Sequence, residues 1–151
     1  MTKLKIGDKA PLFTLKDQNG VSVNLSDYLG KKKLVVYFYP RAMTPGCTTQ
    51  ACGITNNRAK IDKSNTVVLG ISPDPVSRLQ KFTAKHQLNL TLLSDESKEV
   101  ADLYGVWEKK MFLGKTFLGI KRTTFLIDLS GKISKIIDNV NTKTHHEDIL
   151  S

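Results

Sequence analysis

No apolar run in this chain of 151 residues approaches the roughly 18 that a membrane-spanning helix needs. The opening Met1-Thr-Lys-Leu-Lys-Ile-Gly-Asp-Lys also lacks the apolar stretch of a secretory signal. A cytoplasmic address with no membrane partner is the expectation. Cysteine is scarce: there are two, with no Cys-x-x-Cys pair and no zinc-finger spacing. Acidic residues are outnumbered 14 to 23, for a net charge of +9. The basic residues are dispersed, however, and Lys31-Lys32-Lys33 is the longest run. Without an RNA-binding aromatic signature, that charge reads as solubility and partner steering rather than specific nucleic-acid binding. Repeats, low-complexity tracts and interdomain linkers are missing too, so residues 1–151 read as a single domain. The apolar fraction, 40%, suffices for a real core.

The elements follow from pattern. Short alternating runs flank Gln18-Asn19-Gly20, and the Asn-Gly pair marks an N-terminal hairpin. Leu34 to Tyr39 is a continuous apolar run, the mark of a central strand buried on both faces and ended by Pro40. A helix is expected from Pro45 to about Asp62, with Thr44 as N-cap and Pro45 in the first helical position. Thr66 to Ser72 is a second buried strand. Asp74-Pro75 caps and starts a helix to about His86, with Val76, Leu79, Phe82 and Ala84 on its apolar side. Leu90 to Leu93 is strand-like, and a helix from about Glu96 to Leu103 ends at Gly105. Thr123–Asp128 and Ile133–Val140 flank Ser130-Gly131 as a late hairpin, and Thr144 to Ser151 reads as a short final helix. Strands alternating with helices give an α/β fold with a mixed sheet.

The two cysteines lie close together in Thr44-Pro-Gly-Cys-Thr-Thr-Gln-Ala-Cys52. With Thr44 as N-cap, Cys47 falls in the first helical turn, where N–H groups without an intrahelical partner favour a thiolate. In a cytosolic chain, neighbouring cysteines point to catalytic, redox-sensing or metal chemistry more than to a structural bridge. Ionisation alone does not make an efficient thiol catalyst, because intrinsic nucleophilicity falls as the thiol becomes more acidic. Donors aimed at the atoms that gain charge in the reaction are also needed. Thr44, one turn ahead of Cys47, and Arg122, entering a strand, are the candidates. Residues five apart in a regular helix have Cα atoms about 8.6 Å apart. A disulfide rarely spans more than about 7 Å. Cys47 and Cys52 therefore cannot bond while both stay helical. Gly46 and Gly53 would ease local unwinding.

These residues resemble the peroxiredoxins of the bacterioferritin-comigratory protein/peroxiredoxin Q group. The family pattern Pro-x-x-x-Thr-x-x-Cys stands here as Pro40, Thr44 and Cys47, and the group's second cysteine as Cys52. The stretch Gly119 to Asp128 is similar to the segment bearing the family's active-site arginine, here Arg122. Weaker likenesses run from Lys5 through Leu92–Asp95 and Tyr104–Trp107 to Thr144-His-His. The resemblance implies a thioredoxin-like fold: a mixed central sheet flanked by helices, with an added N-terminal β-hairpin. It also implies that Cys47 is the peroxidatic cysteine and that Cys52 resolves its sulfenic acid as an intramolecular, redox-active disulfide. Thr44 and Arg122 would orient the hydroperoxide, with Pro40 and the backbone of Gly46 and Cys47 completing the pocket. Thioredoxin or a similar dithiol protein would be the reductant. No metal, haem or flavin cofactor is implied, and a monomer suffices, since one chain carries both cysteines. Relatives continue their last helix beyond the equivalent of Ser151, so a short or frayed final helix is expected.

Other readings exist for the same residues. Cys47 and Cys52 could simply pack, Thr44 could be no more than a cap, and Arg122 could be a surface residue. His145-His146 fits zinc spacing poorly and reads as surface histidine. Trp107 and Met111-Phe112 read as covering the edge of the core. Among functions, a general dithiol–disulfide oxidoreductase and a redox-switched holdase stand beside the thiol peroxidase.

Overall fold

Alternation along one strand organises the molecule. In β3 (Lys33–Phe38) the side chains of Leu34, Val36 and Phe38 enter one buried cluster, while Val35 and Tyr37, with Tyr39 beyond the strand, enter another. A strand buried on both faces must lie mid-sheet under two covering layers. The computed structural model, which describes residues 4–138 and 140–149, places it there. A seven-stranded sheet runs in the order β2-β1-β5-β4-β3-β8-β9. β3 pairs in parallel with β4 (Thr66–Ser72), and β4 in parallel with β5 (Thr91–Ser94). β8 (Thr123–Ile127) lies antiparallel on the other side of β3, followed by β9 (Ile133–Ile137).

The N-terminal hairpin, β1 (Thr14–Asp17) and β2 (Ser22–Asn24), joins the sheet along β5. Its turn is set locally. The Asp17 carboxylate accepts from the N–H groups of Asn19 and Val21 at 2.8 and 3.0 Å, and Gly20 takes the positive φ that the turn requires.

Helices cover the sheet. α1 (Pro45–Asn56), α2 (Arg58–Lys63) and α3 (Val76–His86) contribute Cys47, Ala51, Ile54, Ile61, Leu79 and Phe82 to the cluster on the Tyr37 face, and Ile149, just past α5 (His145–Asp148), joins it. α4 (Glu99–Leu103), with Tyr104 and Val106, covers the Phe38 face. The layered α/β arrangement with its added hairpin is as expected from the sequence.

Several boundaries differ from the sequence reading. The long helix expected from Pro45 to Asp62 breaks at Asn57, whose side-chain amide donates to the Gly53 carbonyl at 2.8 Å. α4 starts at Glu99 rather than Glu96, because the Asp95 carboxylate already accepts from the N–H groups of Val100 and Ala101 at 3.2 and 2.9 Å. Pro75 occupies the N-cap of α3 while Asp74 is drawn into a buried cluster, and Ala84 is exposed. β9 ends at Ile137, and residues 139, 150 and 151 lie outside the described ones. A further hairpin was not anticipated: β6 (Trp107–Phe112) and β7 (Lys115–Ile120) form a separate two-stranded sheet. Trp107 packs on the core cluster, with the Lys98 ammonium 5.3 Å from its ring centre.

Candidate active site

The site begins where β3 hands over to α1. Residues 40–44 join them, and the loop is held at Ala42 from both sides. The Ala42 N–H donates to the Asp74 carboxylate at 2.7 Å, and the Ala42 carbonyl accepts from Arg78 Nη2 at 2.9 Å. Asp74 and Arg78 are themselves paired at 3.1 Å, and the Ser72 hydroxyl donates to Asp74 at 2.8 Å. Met43 then takes a left-handed backbone, φ 68°, a strained conformation that persists only where surrounding bonds enforce it.

Pro45 opens α1, preceded by an extended Thr44. The Thr44 hydroxyl does not cap the helix as expected; it donates back to the Arg41 carbonyl at 2.8 Å. The Thr48 N–H bonds to the Thr44 carbonyl at 2.9 Å, so the N–H groups of Gly46 and Cys47 lie ahead of the helical ladder. Cys47 is buried, 2% exposed, while Pro40, Thr44, Gly46 and Arg122 are half-buried.

Arg122 lies in the link between β7 and β8, and its guanidinium spans two partners. Nη2 is 3.4 Å from Cys47 Sγ, and Nη1 donates to Gln50 Oε1 at 2.7 Å. A Cβ on Gly46 would stand 3.4 Å from Nη2, so the backbone of Gly46 lies close against the guanidinium. In general a cation beside a sulfur favours a thiolate, and guanidinium donors can meet an oxygen that gains charge.

Cys52 is half-buried on α1, and both cysteines are free. Both sit in one continuous helix, the condition under which their Cα separation is too great for a bridge. The structure therefore brings Arg122 to Cys47 and close to Gly46, with Thr44 and Pro40 in the loop just ahead of the helix and Cys52 just over a turn along it.

Sequence reasoning missed two residues here. Gln50, one turn after Cys47, is fully buried, and its amide nitrogen faces His145 Nδ1 at 3.1 Å. His145 is itself fully buried, which corrects the expectation of a surface histidine. Its Nε2 lies 2.8 Å from the Thr124 hydroxyl, and its ring meets Tyr37 edge-on at 5.3 Å. Burial first, then the nearby Arg122 and His146, push the His145 imidazole down to about 4, against an upward pull from Asp148. Burial likewise pushes the Tyr37 phenol well up, so that it too stays neutral. The Cys47–Gln50 spacing was legible as one helical turn; the contact from His145 crosses 95 residues and was not.

The AhpC/TSA family matches residues 6–136. Peroxiredoxin Bcp of Escherichia coli K12 is 51% identical over all of this chain and 96% of its own length. The crystal structure of peroxidoxin BcpB from Mycobacterium tuberculosis, 37% identical, superposes with a TM-score of 0.85 over 97% of this chain and 94% of that one. That of a cysteine-to-serine variant of peroxiredoxin Q from Xylella fastidiosa, 29% identical, gives 0.92 over 99% and 95%. With the sulfur, the guanidinium and the Pro-x-x-x-Thr-x-x-Cys loop converging in a thioredoxin-like fold, the chain belongs to the AhpC/TSA family and is a thiol peroxidase of the peroxiredoxin Bcp/peroxiredoxin Q group.

Proposed function

We propose that Cys47 is the peroxidatic cysteine and Cys52 its resolving partner, in a cycle that reduces hydrogen peroxide and organic hydroperoxides. The Cys47 thiolate attacks one peroxide oxygen. An S–O bond forms, the O–O bond breaks, and the departing oxygen takes a proton to leave as water or an alcohol. Sulfur has then lost two electrons and stands as a sulfenic acid. The Cys52 thiol displaces water from it, closing a disulfide. An external dithiol, thioredoxin or a protein like it, restores both thiols by exchange. The reductant, a monomeric state and a cytoplasmic address belong to this proposal.

The residues divide the work by their donors and acceptors. Arg122 has only donors, so it addresses the sulfur and the oxygens that gain charge. The Thr44 hydroxyl has its proton engaged by the Arg41 carbonyl, which leaves lone pairs to accept from a hydroperoxide O–H. The Gly46 and Cys47 N–H groups add fixed donors at the helix mouth. Cys47 is 2% exposed, so charge develops in a water-poor pocket. A related protein, bacterioferritin comigratory protein of Xanthomonas campestris, is described as reducing alkyl peroxides, and its structure superposes with a TM-score of 0.86 at 31% identity over 91% of this chain. This supports organic hydroperoxides as substrates.

One observation carries the reading: the guanidinium of Arg122 lies 3.4 Å from Cys47 Sγ. Cys47→Ser is expected to abolish hydroperoxide consumption in the presence of a thioredoxin system. Full activity in that variant would end the assignment.

A further inference from the structure

Between Arg122 and Thr124 the donors and acceptors admit one arrangement. A guanidinium only donates. The Gln50 atom 2.7 Å from Arg122 Nη1 is therefore the amide oxygen. That leaves the amide nitrogen, a donor, facing His145 Nδ1 at 3.1 Å. Nδ1 must accept, so the single ring proton sits on Nε2 and is donated to the Thr124 hydroxyl at 2.8 Å. Gln50, His145 and Thr124 are all fully buried, where an unpaired polar group has no water to turn to.

We propose that His145 is a positioning residue for the peroxide step: as a neutral imidazole protonated on Nε2, it holds the Gln50 amide in the orientation that presents oxygen to Arg122, and so fixes the guanidinium against the Cys47 sulfur. The proposal rests on the reading that Arg122 serves chemistry at Cys47. Turning the Gln50 amide over would set its NH2 against the guanidinium, donor against donor. Protonating Nδ1 would set N–H against the same NH2. Either change removes the only arrangement in which both Gln50 contacts are attractive.

The groups facing His145 come from three other elements and its own. Tyr37 comes from β3, Gln50 from α1, Thr124 from β8 with Arg122 just ahead of it, and His146 and Asp148 from α5. The seat on α1 is shaped for this contact. A Cβ at Gly53 would stand 2.7 Å from His146 Nδ1, so glycine there lets α5 lie directly on the helix that carries Cys47. The final helix thus acts on the site from 98 residues down the chain from Cys47 to His145.

Two substitutions separate positioning from mere packing. In His145→Asn an amide oxygen takes the place of Nδ1, which keeps the acceptor for Gln50 and gives up Thr124. In His145→Gln the polar end takes the place of Nε2, which keeps Thr124 and strands the Gln50 amide. The second-order rate of Cys47 oxidation by hydrogen peroxide is expected to fall by about tenfold to a hundredfold in His145→Gln, the scale of a small misplacement at a reacting centre. His145→Asn is expected to recover most of that loss, although both variants lose thermal stability. Equal losses in the two variants, or no loss in His145→Gln, would overturn the proposal. Nitrogen-15 NMR of the imidazole in the unmodified protein decides the matter even if both variants fold poorly. A proton on Nε2 supports the proposal, and a proton on Nδ1 overturns it. Arg122→Met runs alongside: an unchanged rate there would defeat the underlying reading, whereas a slowed Arg122→Met beside an unaffected His145→Gln would defeat only the role of His145.

Discussion

Replacing Arg122 with Met tests the electrostatic part of the account, because Met keeps much of the apolar stem and removes every donor. Two unit charges 3.4 Å apart attract by about 5 kcal/mol at an effective dielectric of about 20. Not all of that becomes rate. The thiolate is already stabilised before attack, and only the part that grows as charge moves onto the leaving oxygen lowers the barrier. Loss of a single donor aimed at a developing oxyanion elsewhere costs about 100-fold to 1,000-fold. That range is about 3–4 kcal/mol, less than the full attraction, as a differential effect requires. Arg122→Met should therefore slow the second-order reaction with hydrogen peroxide by about 100-fold or more, with the excess substrate held constant and oxidation of Cys47 followed by rapid quench. Arg122→Lys keeps the charge but cannot reach the sulfur and Gln50 at once, so it should fall between Met and wild type. A rate for Arg122→Met within about twofold of wild type would refute the reasoning, since it would mean that the cation contributes nothing to the transition state.

Other consequences can be measured. His145 is held near 4 when folded against an ordinary value of 6.5, so the unfolded chain binds more protons between those values and stability falls as the pH is lowered through that window. At about 1.4 kcal/mol per pH unit, the gap corresponds to at most about 3.5 kcal/mol, fully present above pH 6.5. Urea midpoints across that range should drop in the wild type and drop less in His145→Asn. Cys52→Ser should still form the Cys47 sulfenic acid, trapped by a carbon nucleophile, but no intramolecular bridge. Asp74→Asn weakens the charge-assisted bond to the Ala42 N–H and the pairing with Arg78, at a cost of about 1.5–3 kcal/mol in stability and a slower peroxide step. An unchanged denaturation midpoint would remove Asp74 as the anchor of the 40–44 loop.

What could be read before folding was local. The buried strand from Leu34, the Asn-Gly turn and the proline opening of α1 are short-range features, and they stand where expected. The β6–β7 hairpin escaped because its two-residue turn is Leu113-Gly114. Both have positive φ, 52° and 76°, as a tight primed hairpin turn demands. Leucine is not the residue that signals such a turn, and Lys109, Lys110 and Lys115 blur the alternation around it. At the site, the cysteine pair and the Pro-x-x-x-Thr-x-x-Cys loop were visible as a motif. The Arg122–Gln50–His145 chain was not, because it joins three elements through side-chain contacts that only the assembled sheet brings together. Asp74 shows the converse: its spacing before α3 suits a cap, and tertiary demand from Ala42, Ser72 and Arg78 outweighs that local preference.

The central claim is that the Cys47 sulfur beside a guanidinium takes oxygen from a peroxide and is then captured by its neighbour on the same helix. Intact mass and peptide mapping after one equivalent of hydrogen peroxide test it most directly. The account predicts a product lighter by two hydrogens, with Cys47 joined to Cys52 within one chain. A product in which Cys47 remains a free thiol while peroxide has been consumed would contradict it.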